Sequence, residues 1–334
     1  MARVFQHRSG DEPICVDFFI GHRFTIVPFI NAIDPLRIAN LVSGKTLFET
    51  RLISDDGKPV TAINGMEFQV DAAMGDIHRA DNVFMFIGFD PLMEVPPALA
   101  NWLRKLVVQG AHLGAAGAGA LFLAQAGLLD GYSATIHWNY RDSFLESFPK
   151  IRLSRNAFEI DRNRFTCAGG TATMNLMLHA IAAHFGPDLA SEVADLFIAG
   201  EVYQPETEFP RMERARVGIA QSSLRFAVDE MESHIETPLG ITELAARANI
   251  SQRSLTRLFK DHFQVTPVQY YHRLRLQHGQ RLMQQTNMSA TEVALASGFR
   301  SPEHFFRSYR KQFGCSPIED RRNSRLLGPD EGED

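Results

Sequence analysis

The chain has 334 residues, of which 45% are hydrophobic and 22% charged, as is ordinary for a globular protein of two domains. No apolar run is long enough to span a bilayer, and residues 1–13 lack a signal-peptide core, so we expect a cytoplasmic protein with no membrane partner. Cys15, Cys167 and Cys315 are far apart and have no metal-ligand spacing, which predicts thiols of a reducing compartment and neither a metal nor a cofactor.

The net charge of −5 is distributed unevenly along the chain. Residues 211–326 contain 18 Lys and Arg against 11 Asp and Glu, a net of +7, which leaves −12 on the rest. Part of that acidic remainder is a predicted tail at residues 326–334. A basic region joined to an acidic body is typical of a DNA-binding protein whose other domain has a different task.

Residues 13–200 alternate predicted strands with predicted helices. Short apolar or alternating runs predict strands, and apolar residues at helical spacing predict the helices between them. The predicted strands are 15–20, 46–53, 66–70, 83–87, 112–115 and 164–166, and the predicted helices are 28–41, 96–109, 120–128 and 172–185. This alternation indicates an α/β domain, a mostly parallel sheet sandwiched by helices.

The order of elements resembles the ThiJ/PfpI branch of the class I glutamine-amidotransferase-like fold. The resemblance rests on residues 34–37, 114–124, 127–131, 135–138 and 167–171. In enzymes of this fold, a strand-to-helix elbow presents a catalytic Cys at a helix N-terminus, where the helix dipole lowers the thiol pKa.

The position that matches this nucleophile is Gly117, and no Ser, Cys or Thr lies between Leu113 and Ala124. A base such as His137 has nothing to activate there, so we predict no catalytic residue and no enzymatic activity. The alternative is an enzyme of the ThiJ/PfpI type with an appended DNA-binding domain.

A pocket without a nucleophile predicts a small-molecule effector. Backbone N–H groups at Gly117 and Ala118 are expected to bind an anionic group, and His137 and Trp138 lie in the usual site region of this fold. A Trp face holds a quaternary ammonium group by a cation–π interaction of about 0.5–2 kcal/mol. The alternative is that His137 and Trp138 are a buried His and a core or interface aromatic. Asp34 and Arg37 either hold the charge of the ligand or form a surface or dimer ion pair.

Residues 201–219 have the Pro-rich and charged composition of a linker, and residues 220–325 predict an all-α domain. That domain repeats one unit, with an offset of 50 residues between Ser251 and Ser301. In each copy a short helix is followed by a turn at Asn249 or Gly298, and then by a helix that Ser251 or Ser301 N-caps. This is a helix-turn-helix motif, and the alternative is a helical bundle with a solvated charged face.

The second helix of each copy has a charged outer face that is suited to the major groove of double-stranded DNA. We predict base contacts by Arg253, Thr256 and Arg257 in the first copy and by Glu303, His304 and Arg307 in the second, with phosphate contacts by Lys260 and Arg310. The two copies would enter adjacent major grooves. Because their faces differ in charge, we expect the two half-sites to be read differently.

These residues resemble the DNA-binding domain of AraC-type transcription regulators. The resemblance is carried by residues 251–260, 266–267, 270–271, 273–276, 292–294, 298–299, 304–305, 313–314 and 316–317. Gly279 replaces the usual Ala of the linking helix, which predicts a more pliable helix. Asp320 replaces the aromatic residue that usually closes the domain.

The two domains together resemble the GlxA-like subfamily of regulators, which includes sensors of arginine, betaine and carnitine. The resemblance implies a transcription regulator that activates catabolic genes in response to a small amino-acid-like or quaternary-amine metabolite. The partners it implies, besides DNA and the effector, are a second copy of the chain and RNA polymerase.

Overall fold

The structure is a computed structural model that describes residues 3–8, 12–88, 94–198 and 222–326. The described residues divide into two compact units, one on each side of the boundary between Phe209 and Pro210. The predicted linker, 201–219, lies outside the described residues, and so does the predicted acidic tail except for Leu326.

The first unit contains strands and helices in alternation. Its strands are β1 (Ile14–Ile20), β2 (Phe48–Ser54), β3 (Val60–Thr61), β4 (Glu67–Phe68), β5 (Ala72–Ala73), β6 (Asn82–Phe86), β7 (His112–Ala116), β8 (Ser133–Ala134), β9 (Arg152–Leu153), β10 (Phe158–Asp161) and β11 (Arg164–Cys167). Its helices are α1 (Ile26–Ser43), α2 (Pro97–Val108), α3 (Gly119–Gln125), α4 (Arg141–Ser147), α5 (Ala172–Phe185) and α6 (Pro187–Leu196).

Seven of these strands form one sheet in the order β10-β11-β7-β6-β1-β2-β5. All neighbours are parallel except β10 and β11, which pair antiparallel at one edge. The predicted, mostly parallel sheet is confirmed. Strand β10 was not predicted, because this four-residue edge strand includes Glu159 and Asp161 and lacks the apolar run of a buried strand.

Both faces of the sheet are covered by helices. Along β6, Phe84 and Phe86 belong to one hydrophobic core, with α1, α5 and α6, while Val83 and Met85 belong to another, with α2, α3 and α4. This alternation follows from the two-residue period of a strand. The predicted sandwich is therefore confirmed, with the ends of β6 and β7 buried between two helical layers.

The second unit is all helical. Its helices are α7 (Ser222–Ser233), α8 (Ile241–Arg247), α9 (Gln252–Phe263), α10 (Pro267–Gln285), α11 (Ala290–Ala296), α12 (Pro302–Phe313) and α13 (Pro317–Leu326). Helices α8 and α9 form the first helix-turn-helix and α11 and α12 the second. Their turns contain Asn249 at φ +55° and Gly298 at φ +72°, as predicted for residues that readily adopt positive φ. None of the helices described in either unit is long and apolar enough to cross a membrane.

Helix α10 links the two motifs and contributes to the core of each. Tyr270, Tyr271 and Leu274, in its first half, pack in the core of the first motif. Leu276 and Leu282, further along, pack in the core of the second. The two motifs therefore share one continuous helix.

Gly279 allows α10 to pack closely against its neighbours. A Cβ atom at this position would lie 2.7 Å from Cε2 of Phe305 and 2.9 Å from Oγ of Ser297. Real Cβ contacts are longer than this, so a side chain here would require the Phe305 ring and the Ser297 side chain to shift. Gly279 therefore permits a close approach of α10 to Phe305 and Ser297, and the pliability of this helix stays a prediction.

Asp320 closes the second motif with hydrogen bonds instead of an aromatic ring. Its carboxylate accepts hydrogen bonds from the Tyr309 hydroxyl at 2.6 Å, from Gln280 Nε2 at 2.8 Å and from Gln284 Nε2 at 3.1 Å. Burial and the adjacent Asp320 carboxylate raise the pKa of the Tyr309 phenol, which therefore stays a donor. Asp320 thus joins α13 to both α10 and α12.

Candidate nucleic-acid interface and effector cavity

The first recognition helix, α9, has one buried and one exposed face. Ser251 Oγ accepts the N–H of Ser254 at 3.1 Å, which fixes the start of the helix. Leu255 and Phe259 are fully buried on the inner face. Because a helix turns once in about 3.6 residues, Thr256 and Arg257 point away from this core, while Leu258 packs partly against it.

Four predicted contact residues lie on this outer side of α9. Arg253, Arg257 and Lys260 are exposed, and Thr256 is partly buried with its hydroxyl donating to the Gln252 carbonyl at 2.9 Å. Among the described residues, the side chains of Arg253, Arg257 and Lys260 have no hydrogen-bond or ion-pair partner. Their charges are therefore available to bases and phosphates.

The second recognition helix, α12, is built in the same way on buried Phe305 and Tyr309. Glu303, His304, Arg307 and Arg310 are exposed on its outer side. Arg307 has no hydrogen-bond or ion-pair partner within the described part of the chain.

Two of these side chains are engaged by their own domain. Glu303 accepts a hydrogen bond from the Ser301 hydroxyl at 2.5 Å, which lowers the pKa of its carboxyl. The His304 ring stacks on that of His272 at 5.7 Å and meets the edge of Phe299 at 5.6 Å. The outer face of α12 therefore presents a hydrogen-bond acceptor, Glu303, and a ring, His304, that are already positioned. The outer face of α9 presents cationic groups on flexible side chains.

In the first unit, the elbow follows β7 at Gly117. This residue has φ +57°, and its N–H donates to the Cys167 carbonyl on neighbouring β11 at 2.9 Å. A Cβ atom on Gly117 would meet no other atom within 4 Å. There is thus room for a nucleophile, but the chain has a glycine, the residue that adopts this conformation without strain.

Cys167 lies directly beside the elbow but does not supply the missing nucleophile. Its side chain is fully buried, with Sγ 3.3 Å from Thr173 Oγ1. Burial raises the pKa of the thiol to about 11. A thiol with this pKa is almost entirely protonated near neutral pH and is inert as a nucleophile.

A cavity of about 230 Å³ opens at the elbow. The residues that line it are Thr25, Val27 and Pro28 at the start of α1, Phe86 at the end of β6, Ile87 directly after it, Ala116–Ala118, His137, Tyr140 and Ala168–Gly170. Of the residues predicted for a ligand site, the cavity brings together Gly117, Ala118 and His137. Burial lowers the pKa of His137, whose Nδ1 accepts the Asn139 N–H at 3.3 Å, so its ring is neutral near pH 7.

The other residues predicted for the ligand site do not belong to the described lining of this cavity. Trp138 is 46% exposed, and its ring lies 5.3 Å from that of His137. Asp34 and Arg37 form an ion pair with each other, at 2.5 Å, on the outer side of α1. Phe86, Ile87 and Tyr140 line the cavity but were not predicted. The position of Phe86 and Ile87 at the carboxyl end of β6, beside β7, could have indicated them, because ligands bind at the carboxyl ends of parallel strands.

One of the two backbone donors predicted for an anion site already has a partner within the fold. Helix α3 has only seven residues, and the Gly117 N–H is already donated to Cys167. Within the described residues, no group of three or more His, Cys, Asp or Glu side chains is placed to hold a metal ion. The chemistry available in the cavity is therefore that of Thr25, Tyr140, a neutral imidazole, apolar side chains and backbone groups.

Comparisons with known proteins cover both units. The helix-turn-helix domain family matches residues 244–323, and the DJ-1/PfpI family matches residues 16–183. The HTH-type transcriptional regulator CdhR of Pseudomonas aeruginosa is 43% identical over 313 residues, which cover 93% of each chain. The HTH-type transcriptional regulator GlxA of Rhizobium meliloti is 32% identical, over 92% of this chain and 96% of its own.

The first unit also resembles a solved structure. The crystal structure of an AraC family transcriptional regulator from Pseudomonas putida covers 55% of this chain and 100% of its own, with a TM-score of 0.51 and 31% identity. The similarity to CdhR extends across both units, and the DJ-1/PfpI match spans half of the chain. The chain therefore belongs to the GlxA-like family of transcriptional regulators, which join a DJ-1/PfpI domain to an AraC-type helix-turn-helix domain.

Proposed function

We propose that this regulator activates catabolic genes from the cytoplasm when its DJ-1/PfpI domain binds a small amino-acid-like or quaternary-amine metabolite. The observation that carries the proposal is the elbow. The position of the nucleophile in this fold is Gly117, which borders a small cavity, and the neighbouring thiol of Cys167 is buried with a raised pKa. A cavity without an activated nucleophile favours binding over turnover.

The lining of the cavity favours a cation that cannot donate hydrogen bonds. The described lining contains no Asp or Glu, and it includes the aromatic residue Tyr140 and the neutral ring of His137. Ring faces attract a quaternary ammonium group without the desolvation cost of a buried carboxylate. A volume of about 230 Å³ is below the roughly 300–1,000 Å³ of pockets for drug-sized ligands, which fits a small metabolite.

On DNA, we infer that α9 and α12 enter adjacent major grooves of one double-stranded operator. Arg253, Thr256 and Arg257 contact bases in the first half-site, and Glu303, His304 and Arg307 contact bases in the second. Lys260 and Arg310 bind phosphates and position the helices. Two copies of the chain act together and contact RNA polymerase to activate transcription.

Replacing Arg257 with Ala is expected to remove discrimination at one base position of the operator, at a cost of about 1–3 kcal/mol against the preferred base. Lys260→Ala is the matched control, because loss of a phosphate contact weakens all sequences alike and reduces the salt dependence of binding. Fluorescence anisotropy against a library of single-base operator variants measures both effects. A uniform loss for Arg257→Ala would show that Arg257 makes no specific base contact.

Filling the cavity is expected to abolish stabilisation by the effector. Calorimetry of the full chain against amino acids and quaternary amines should identify a ligand, which stabilises by about 2.7 kcal/mol at a hundred times its dissociation constant. Ala118→Leu should remove this shift, because Ala118 lines the cavity with φ −69°, which a Leu adopts without strain. Trp138→Leu, outside the described lining, should retain it. A shift that survives Ala118→Leu would place the ligand elsewhere.

A further inference from the structure

Three aromatic rings meet at the start of the second recognition helix, and we call His272, Phe299 and His304 the ring cluster. The His304 ring stacks on the His272 ring, with the ring centres 5.7 Å apart and the planes 30° apart. The Phe299 ring meets both edge to face, at 5.5 Å from His272 and 5.6 Å from His304. His304 lies on α12, Phe299 in the turn before it and His272 on α10, so the ring cluster joins three parts of the unit.

The ring cluster extends from the core to the surface. Phe299 is 2% exposed, His272 is half-buried and His304 is exposed. The inner end is fixed, because Phe299 packs in the core of the second motif and the Arg275 guanidinium lies 4.3 Å from the centre of its ring. The exposed His304 ring is therefore held by two residues outside the recognition helix, Phe299 and His272.

The first helix-turn-helix forms without such a cluster. In the repeat, Ser254 stands at the position of His304, and Ile250, directly after the turn, stands at the position of Phe299. Both motifs nevertheless have the same helix, turn and N-capped helix. Rings at these positions are thus not needed to build the motif, which favours a role for them on the outer face of α12.

The orientation of the His304 ring decides which base edge it can match. A histidine ring has two nitrogens at different corners, and in the neutral ring one is a donor and the other an acceptor. Base pairs differ in the major groove by the order of their donors and acceptors, so a turn of the ring changes the base pair that it fits. An exposed side chain that is already held in one orientation also loses less rotational freedom on binding.

His272 can hold this ring without adding a charge. Burial lowers the pKa of the His272 imidazole, and the adjacent Arg275, His304 and Lys311 lower it further. The His272 ring is therefore neutral near pH 7, and the stack does not place a fixed positive charge against His304.

We propose that His272 is a positioning residue for operator recognition, which fixes through the ring stack the edge that His304 presents to one base pair. The inference rests on the proposed base contact of His304. It extends the determinants of the second half-site to α10, which lies outside both recognition helices.

A double-mutant cycle on the full chain tests this role. Fluorescence anisotropy is measured on an operator that the wild type selects from random-sequence DNA, and on all its single-base variants. His304→Ala should reduce discrimination at one base pair of the second half-site. His272→Ala should reduce discrimination at the same base pair by about threefold to tenfold, the range expected for ordering one side chain. In the His304→Ala background, His272→Ala should change discrimination no further, because the ring that it positions is absent.

Two further variants separate positioning from loss of fold. His272→Phe keeps a ring for the stack and should restore most of the discrimination. Gln277→Ala is the control, because Gln277 is also half-buried on α10 but lies about 140° around the helix from His272. It should preserve the wild-type preference at every base position.

The outcomes distinguish this inference from the function on which it rests. If His304→Ala keeps the wild-type preference at every position, the proposed base contact of His304 is wrong, and the positioning role of His272 falls with it. If His304→Ala loses a preference that His272→Ala retains, the positioning role alone is overturned. A uniform loss of affinity from His272→Ala in both backgrounds, with unchanged preferences, would assign His272 to the stability of the fold and would equally overturn its positioning role.

Discussion

Replacing Gly298 with Ala is expected to lower the free energy of unfolding of the DNA-binding unit by about 2–5 kcal/mol. Gly298 lies in the turn of the second helix-turn-helix at φ +72°, where a side chain is strained. An added Cβ would also come within 2.3 Å of the Ile235 carbonyl oxygen and 3.0 Å of that of Glu236. These are backbone atoms that cannot rotate away, so the two motifs would have to separate.

The matched control is Gly314→Ala. Gly314 ends α12 at φ +79°, but a Cβ there would meet no other atom within 4 Å, so only the conformational cost of about 1–2 kcal/mol applies. Hydrogen exchange of amides in residues 290–313 should accelerate much more in Gly298→Ala than in Gly314→Ala. Equal acceleration in both variants would show that the contact of the added Cβ with the Ile235 and Glu236 carbonyl oxygens does not destabilise the unit.

The tryptophans provide an internal reference for both variants. The chain has two, Trp102 and Trp138, and both lie in the first unit. Tryptophan fluorescence therefore reports the unfolding of the DJ-1/PfpI domain alone. We expect this transition to be unchanged by Gly298→Ala, which would localise the loss of stability to the DNA-binding unit.

Local sequence was enough to predict the conformation of Gly298 but not its packing. The repeat with Asn249 identified both residues as turn positions with positive φ, because that requirement depends only on neighbours along the chain. The close approach to Ile235 depends on how two motifs pack against one shared helix. The same limit applies to Gly279, whose contact with Phe305 involves a residue on another helix.

In the cavity, too, some residues could be predicted from the sequence, whereas the direction of the Trp138 side chain could not. Gly117 and His137 were predicted together from the resemblance to the ThiJ/PfpI fold, which places both in the usual site region. Trp138 follows His137 directly, but a one-turn 3₁₀ helix begins there and the ring is left half exposed. Adjacency along the chain does not fix the direction of a side chain in a tight turn.

Helix α10 is hydrogen-bonded to both motifs close to the position where Gly298 approaches Ile235. The Tyr271 hydroxyl donates to the His234 carbonyl at 2.6 Å and accepts the Leu239 N–H at 3.3 Å, which holds the loop before the first motif. One turn further, Arg275 donates from Nε to the Ser297 carbonyl at 2.9 Å and from Nη2 to the Gly298 carbonyl at 2.5 Å.

These bonds fix the relative position of the two recognition helices. The Arg275 guanidinium also lies 4.3 Å from the centre of the Phe299 ring, which directly follows the turn. Tyr271 and Arg275 are four residues apart and therefore project from the same face of α10. Because the half-sites of an operator have a fixed spacing, a fixed distance between the two recognition helices contributes to the specificity for that operator.

Replacing Arg275 with Met is expected to weaken binding to the operator even though Arg275 lies outside both recognition helices. The substitution keeps an unbranched side chain but removes the donors to two partly buried carbonyls, at a cost of about 2–5 kcal/mol to the stability of the unit. With the turn released, the second helix-turn-helix is less firmly oriented, and the advantage of binding both half-sites at once decreases.

The measurement compares an intact operator with one that carries one extra base pair between its half-sites. Wild type should lose most of its affinity on the insertion, whereas Arg275→Met should bind the intact operator more weakly and lose less of that affinity on the insertion. Arg273→Met, at an exposed position on α10, is the control and should preserve the wild-type ratio between the two operators. If Arg275→Met retains the wild-type ratio of affinities for the two operators, the hydrogen bonds to Ser297 and Gly298 stabilise the fold without setting the distance between the recognition helices.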